Sequence, residues 1–580
     1  MIRYPLWGAL VPVLLWTAGS LASVEMATAT RAVEVITAEQ IRRLPARSVA
    51  EVLQWALGVD LMPRSPALFD VAVRGSSFEQ VLVLVDGIRM SDAQTGHFDL
   101  NLAVPLDQVE RIEILRGPAS TLYGADAMGG VIQVVTRRAA GPSARLDTGS
   151  FGSSGLALGH GVGIGATRVD FGTELRRSSG HRAGTDYQTG VGRVALSAPL
   201  AGRTLRADVG YAARDFGADA FYAPFPSYEE TRALTVSAGW AAEGDSRLSV
   251  EPRVSLRRHH DDFTLKRADP AFYRNQHLTQ QLGGELMARF AAAPRLAGGV
   301  EAYQDRLRSA TLGDRAEGRS ALFAEAAAGR VGHATATAGM RADWHEAFGW
   351  FTSPSAAAAW WPGAGVRLRG SLGRALRTPT WTERYYRDPA NIGNPDLMPE
   401  RAWSGEVGAD AYPLAGVRLG VAGFVRSADH LIDWAKPAST PKAPWETRNV
   451  EDAQFRGLES EAGIDELLGV RWTLRGSWLS VRSSEAEGFT SKYALRPLTE
   501  SVSIAAERGL GRAVHATLRA ERARRLGSPA YLRLDLRTAY QLKGLRFFAD
   551  LQNASGETYF DITGSAAPGR ALFVGIEWRG

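Results

Sequence analysis

Arg74 and Arg116 each close a short apolar run, and each is followed by glycine. A guanidinium where a strand gives way to a turn, beside a residue that permits close backbone approach, is placed to grip an anion. Other reactive types are arranged less tellingly. His259-His260-Asp261-Asp262, with His277, is the densest cluster of metal-ligating residue types. Its setting reads as a polar extracellular loop rather than a buried metal centre. Ser76-Ser77, with His97 and Asp99, have no spacing that specifies a nucleophile. There is no GxSxG or HExxH motif, and the chain has no cysteine, which removes thiol catalysis and disulfide stapling. No enzyme is expected.

The elements that would position the two arginines are legible on either side of them. Val71–Arg74, Val81–Val85 and Val109–Leu115 are β-type runs separated by Gly and Pro turns. Asp86-Gly87 reads as a tight turn, and Gly129-Gly130 before Val131–Thr136 as a close backbone approach. Thr37-Ala-Glu-Gln40 has the form of a capping box. Ser48–Leu57 places Val49, Val52, Leu53 and Leu57 on one helical face, with Gly58 as its stop. Together these make a compact α/β unit.

Beyond Ala139 the hydrophobic period changes to two. Arg168, Asp170, Gly172, Glu174 and Arg176 interleave with Val169, Phe171, Thr173 and Leu175, and Arg418–Arg426 and Arg471–Leu479 repeat the pattern. At about twenty residues per strand and connection, the remaining chain allows roughly 22 strands. An open sheet of that size would curl or split, and in a membrane only closure satisfies its edges. Arg3, the apolar run Tyr4–Ala18 and Ser20-x-Ala22 predict a signal peptide over 1–22. Of the 580 residues, 67 are basic and 62 acidic, and they are interspersed, so the formal charge of +5 does not indicate nucleic acid.

VRG (73–75), LVDGIR (84–89), VERIEILRGP (109–118) and LYGADAMGGVIQVVT (122–136) stand in an order that resembles the plug of TonB-dependent outer-membrane receptors. Ser371–Glu383, Gly393–Glu400, Trp445–Glu459 and the stretch from Asp550 to Arg570 resemble signposts of the same family's barrel. The resemblance implies the all-β class: a 22-stranded antiparallel transmembrane barrel in the bacterial outer membrane, occluded by an N-terminal α/β plug. The implied division is a signal peptide at 1–22, a coupling box at 23–31, a plug at 32–138 and a barrel at 139–580. Val24, Glu25, Met26, Ala27, Thr28 and Ala29 would pair with TonB, itself driven by an inner-membrane energising complex, as a strand added to a sheet edge. Plug arginines of this family pair with barrel glutamates, which points Arg74 and Arg116 at Glu406 and Glu459.

An outer membrane has neither ATP nor an ion gradient, and a wide barrel leaks unless it is plugged. The implied function is therefore energised import of a scarce, large solute. The compact length and the plug text GSSFEQVLVLVDGIRMSDAQTGHFDLNL resemble the cobalamin-receptor branch, with a ferric siderophore as the alternative cargo. A passive porin or an adhesion or docking protein is the rival of a different class. Receptors of the cobalamin branch order their loops with calcium, for which Asp186, Asp215 and Asp219 are the candidate ligands. Tyr222, Phe225 and Tyr228 are candidate contacts for a corrin or a catecholate.

Overall fold

The computed structural model describes residues 30–580 except 66, 139–140, 221–223, 242–246, 292–293, 364, 484–487, 512, 561 and 563. The signal segment, the coupling residues Val24–Ala29 and Tyr222 therefore lie outside the described residues.

The plug is built on a five-stranded sheet in the order β1-β6-β7-β4-β5. Its strands are β1 (Val33–Thr37), β4 (Val81–Val85), β5 (Ile88–Arg89), β6 (Val109–Arg116) and β7 (Gly130–Thr136). The continuous apolar text of β4 and β7 suits strands covered on both faces, and these two form the parallel pair at the sheet's interior. Asp86 (φ +48°) and Gly87 (φ +80°) make the predicted turn from β4 to β5. Two further strands, β2 (Val59–Ser65) and β3 (Leu68–Val73), form a separate hairpin.

The capping box is present on helix Ala38–Arg43: Thr37 Oγ1 accepts from Gln40 N at 3.3 Å, and Gln40 Oε1 accepts from Thr37 N at 2.8 Å. The next helix is shorter than the apolar spacing suggests. It covers Val49–Leu53, after which Trp55 N and Ala56 N donate to Val52 O and Leu53 O. These tighter turns swing the chain towards Gly58 (φ +71°), and Leu57 N donates to Glu34 instead. Val52, Leu53, Val83, Ile112, Ile114 and Ile132 meet in one apolar core.

Around the plug the chain closes into an antiparallel barrel. Among the described residues it has 22 strands, counting Gly349–Thr352 and Ser355–Gly363 as one interrupted strand, since both pair with Ala334–His345. Pro354, which has no N–H to donate, stands in the interruption. The last strand, Ala571–Arg579, pairs with the first, Ser143–Gly149, so no edge is left open. One rim is joined by tight turns such as 201–202 and 468–469, the other by longer loops such as 378–399 and 430–452. That asymmetry orients the long loops outward from the cell and the turns towards the periplasm.

The period-two text is turned so that its charged face points in. On Thr167–Ser178, Asp170 and Glu174 are buried while Phe171 and Leu175 stay exposed to the bilayer. The same parity corrects the reading of the histidine cluster. Residues 259–262 are not a loop but part of strand Leu248–Thr264. His259 and Asp261 are buried in the lumen, while His260 and Asp262 point the other way.

Candidate functional site

Plug and barrel meet in a buried ion-pair cluster around Arg74. This residue directly follows β3 and has φ +53°, a conformation that a non-glycine residue adopts when its surroundings hold it there. Here Arg74 N donates to Gly58 O at 2.9 Å, and Ser76 Oγ accepts from Val73 N at 3.0 Å. The bent backbone aims the guanidinium across the plug–barrel gap. Arg74 Nε and Nη2 donate to the two oxygens of Glu459 at 3.0 and 2.7 Å, and Nη1 donates to Glu406 Oε2 at 2.5 Å. All three side chains are at most 5% exposed. Phe424 lies under the guanidinium, 4.4 Å from ring centroid to Cζ. Gly58 is required by this approach, because a Cβ there would come within 2.3 Å of Glu459 Oε1.

Arg116 is placed differently. It hydrogen-bonds within the plug, Nη1 donating to Leu57 O at 3.2 Å, and lies 3.6 Å from Glu459 and 3.7 Å from Glu34. It adds charge near Glu459 without the forked contact. Arg369 of the barrel wall supplies a further cation to Glu406, and also meets Asp410 at 3.2 Å. The two carboxylates are thus balanced by three guanidiniums, an arrangement that offsets desolvation and specifies position more than it adds stability.

Several docking residues were not singled out from the sequence. Arg519, Arg537 and Arg475 point from the wall into the lumen and donate to the plug carbonyls of Gln54, Leu44 and Trp55. Arg257 meets Asp92 at 2.8 Å, and Gln80 donates to Glu400 at 2.6 Å. The available signal was parity, since an arginine on the charged face of a barrel strand must face the plug.

On the outward side the loop 378–399 is seated on the plug. Trp381 N and Thr382 N donate to Ala93 O and Gln94 O at 2.9 and 3.0 Å. Glu79 of the plug is half-buried near Glu383 of this loop; desolvation and that neighbouring carboxylate push its pKa up to about 8 despite Arg377. At the tip of the β2–β3 hairpin, Arg64 Nε donates to Asp70 at 2.7 Å, and His97 Nδ1 lies 3.1 Å from the same carboxylate. Burial would raise Asp70, but Arg64 and His97 hold it below the usual carboxylate range.

Beside this hairpin a cavity of about 120 Å³ runs beneath the loops around 181–185 and 565–569. Arg47, Arg64, Arg182 and Arg533 line it with a single carboxylate, Glu51, and with the aromatic rings of Phe69, Phe151, Tyr187, Tyr559 and Phe573.

The three candidate calcium ligands are not brought together. Asp186 is held by Arg267 at 2.6 and 3.0 Å, Asp215 by Arg232 at 2.5 Å and Asp219 by Arg182. Each carboxylate is neutralised by its own arginine, and among the described residues no group of three or more histidines and carboxylates is arranged to hold a metal ion. Of the candidate ligand contacts, Phe225 lies 5.5 Å from Lys266 Nζ. Tyr228 carries Arg267 over its ring at 4.1 Å. Since its neighbour Glu229 is buried in the lumen, Tyr228 faces the outside of the wall.

Comparison with known proteins places these features in a family. Residues 25–131 match the model described as TonB-dependent Receptor Plug Domain, and residues 136–554 the model described as TonB dependent receptor-like, beta-barrel. The chain is 26% identical to a vitamin B12 transporter, BtuB, of Photobacterium profundum, over 74% of this chain and 73% of that protein. Its identity to the BtuB of Vibrio vulnificus is 25%, over 80% and 77%. In structure it resembles a mutant of the ferric enterobactin receptor PfeA of Pseudomonas aeruginosa (TM-score 0.80, 18% identity, covering 96% of this chain and 99% of that one). It also resembles a double mutant of the hemophore receptor HasR of Serratia marcescens (TM-score 0.80, 18% identity, covering 95% and 99%).

Proposed function

That the chain belongs to the TonB-dependent receptor family, and so carries out TonB-dependent active transport of a large nutrient across the outer membrane, is the premise from which we propose its cargo: a ferric siderophore with anionic, aromatic chelating arms. The observation that carries this reading is the cavity beneath the outer loops. Its lining brings five aromatic rings together with four arginines, each of which also meets a carboxylate of the protein: Arg47 with Glu51, Arg64 with Asp70, Arg182 with Asp219 and Arg533 with Asp535. Such a surface suits a planar aromatic arm, which the rings take by stacking, while an anionic chelate takes the place of a protein carboxylate on an arginine through charge-assisted hydrogen bonds. The cavity is smaller than such a chelate, so it is read as an anchoring point for one arm, with the loops parting to admit the rest.

Cobalamin is the second reading, favoured by the vitamin B12 transporters among the sequence relatives. Asp186, Asp215 and Asp219 each meet a separate arginine, which weighs against calcium at these residues. Coupling through Val24–Ala29 and the register-setting role of Arg74 with Glu406 and Glu459 are parts of the same proposal.

A binding screen on the purified receptor in detergent tests it, with ferric tricatecholate, ferric trihydroxamate and cyanocobalamin measured side by side. Saturable binding of the tricatecholate, weakened by Arg182→Glu and Arg533→Glu, is expected. Binding of cyanocobalamin alone would replace the first reading by the second.

A further inference from the structure

The outer face of the barrel carries a charged patch that the transport function does not use. Outward-facing positions on Leu248–Thr264 and Arg295–Ser309 are apolar through the middle of each strand: Val254 and Leu256 on the first, Val300 and Ala302 on the second. Between them Leu282 and Leu286 continue the apolar surface at 61% and 44% exposure. Towards the loop end this surface stops abruptly. Arg258 follows Leu256 in the outward series, and Arg306 and Arg308 follow Gln304. All three arginines are exposed.

Strand register brings them together. Arg258 pairs with Gln280, which pairs in turn with Arg306, and one step further out His260, Leu278 and Arg308 stand in line. One step inward the same three strands present Leu256, Leu282 and Gln304. With neighbouring strands about 4.8 Å apart and same-face residues about 6.7 Å apart along a strand, the three guanidiniums can converge over the Gln280 amide.

Among the described residues none of these arginines has a carboxylate partner. The acids on the same outer face are already engaged. Glu230 lies 3.5 Å from Arg232, and Asp262 accepts from Arg274 Nε and Gln276 Nε2 at 2.7 and 2.8 Å. Elsewhere on the outer wall such arginines are neutralised by the protein itself: Arg522 and Arg524 share Glu500. The patch at 258, 306 and 308 therefore leaves its counter-charge to something outside the chain.

We infer that Arg258, Arg306 and Arg308, with Gln280, bind the phosphate groups of an outer-leaflet glycolipid whose acyl chains lie along Leu256, Leu282 and Leu286. The occupant follows from position. A cationic cluster directly above a lipid-facing apolar surface meets the headgroup layer of the bilayer, where an anion arrives already attached to hydrocarbon. Arginine suits a phosphate better than lysine because its fork donates two parallel hydrogen bonds.

Native mass spectrometry of the full-length, detergent-folded receptor with added diphosphoryl lipid A tests the assignment. The wild type is expected to retain lipid A. The triple variant R258A/R306A/R308A should lose about tenfold in occupancy, as expected when several charge-assisted contacts are removed together. Arg522→Ala with Arg524→Ala should change nothing, and R258K/R306K/R308K should recover part of the binding. Heat-modifiable migration on gels selects the folded fraction of each variant. Three results would overturn the inference: equal occupancy in the alanine triple variant, equal retention of dephosphorylated lipid A, or release of the lipid by excess inorganic phosphate alone.

Discussion

Arg74 of the plug holds Glu459 of the barrel wall through two hydrogen bonds, at 3.0 and 2.7 Å, between side chains 4% and 3% exposed and 385 residues apart in sequence. A contact of this form fixes orientation as well as distance. Its removal is asymmetric in consequence, because a buried charge left alone costs far more than the intact pair contributes.

Arg74→Ala should therefore leave Glu459 with only Arg116, 3.6 Å away and without the forked contact, and Glu406 with only Arg369, at a cost to plug docking below the roughly 3–5 kcal/mol of a wholly unpaired buried charge. The expected phenotype is entry of a large antibiotic that the intact outer membrane excludes, together with loss of energised uptake. Arg116→Ala should give a smaller effect of the same kind, since Arg116 lies 3.6 Å from Glu459 and hydrogen-bonds a plug carbonyl instead. Antibiotic susceptibility of cells carrying each variant at matched surface abundance measures both. Equal phenotypes would contradict the geometry.

Gly58→Ala should reproduce the Arg74 phenotype without removing any charge. The added Cβ would meet Glu459 Oε1 at 2.3 Å, at a backbone φ of +71° that alanine adopts only with strain. A lowered thermal midpoint with increased leakage is expected, and wild-type values in both assays would refute the close approach.

Seating of the outer loop should weaken with rising pH through Glu79. Its pKa is pushed up to about 8 from an ordinary 4.5 by burial and by Glu383. The folded state therefore binds this proton more tightly than the unfolded state, so the contribution is complete below about 4.5 and is lost as pH rises through about 8. Protease cleavage within 378–399 should accelerate between about pH 6 and pH 9, and Glu79→Gln should flatten that dependence. An unchanged pH profile in the variant would locate the titrating group elsewhere.

Deleting Glu25–Thr30 should abolish uptake while leaving ligand binding at the cell surface nearly intact, because a strand-adding segment acts on the periplasmic side and the cargo arrives from outside. Radiolabelled cargo, with bound and internalised counts separated, measures both quantities. Continued transport would place the coupling segment elsewhere.

What the sequence determined by itself was largely local, although the helical spacing over Ser48–Leu57 overstated a helix that stops at Leu53 and the polar text at 259–262 concealed a strand. Alternation over Thr167–Ser178, the Asp86-Gly87 turn and the Thr37–Gln40 cap are properties of neighbouring residues, and each appears as its local chemistry requires. Parity also marked which barrel residues share a face, so Arg519 and Arg537 could have been placed towards the plug. The motif at 73–75 was visible as chemistry, while the acids at 406 and 459 were pointed to only by the family resemblance. Alternation could not say which arginine takes the forked contact, or that Arg369 joins it. Nor could it show that Asp186, Asp215 and Asp219 would each be claimed by a separate arginine. Those outcomes depend on closure. Strand number, tilt and stagger accumulate around the whole barrel, and a register change in one strand moves every side chain opposite the plug. The tertiary structure alone decides them, because contacts across several hundred residues carry no local period.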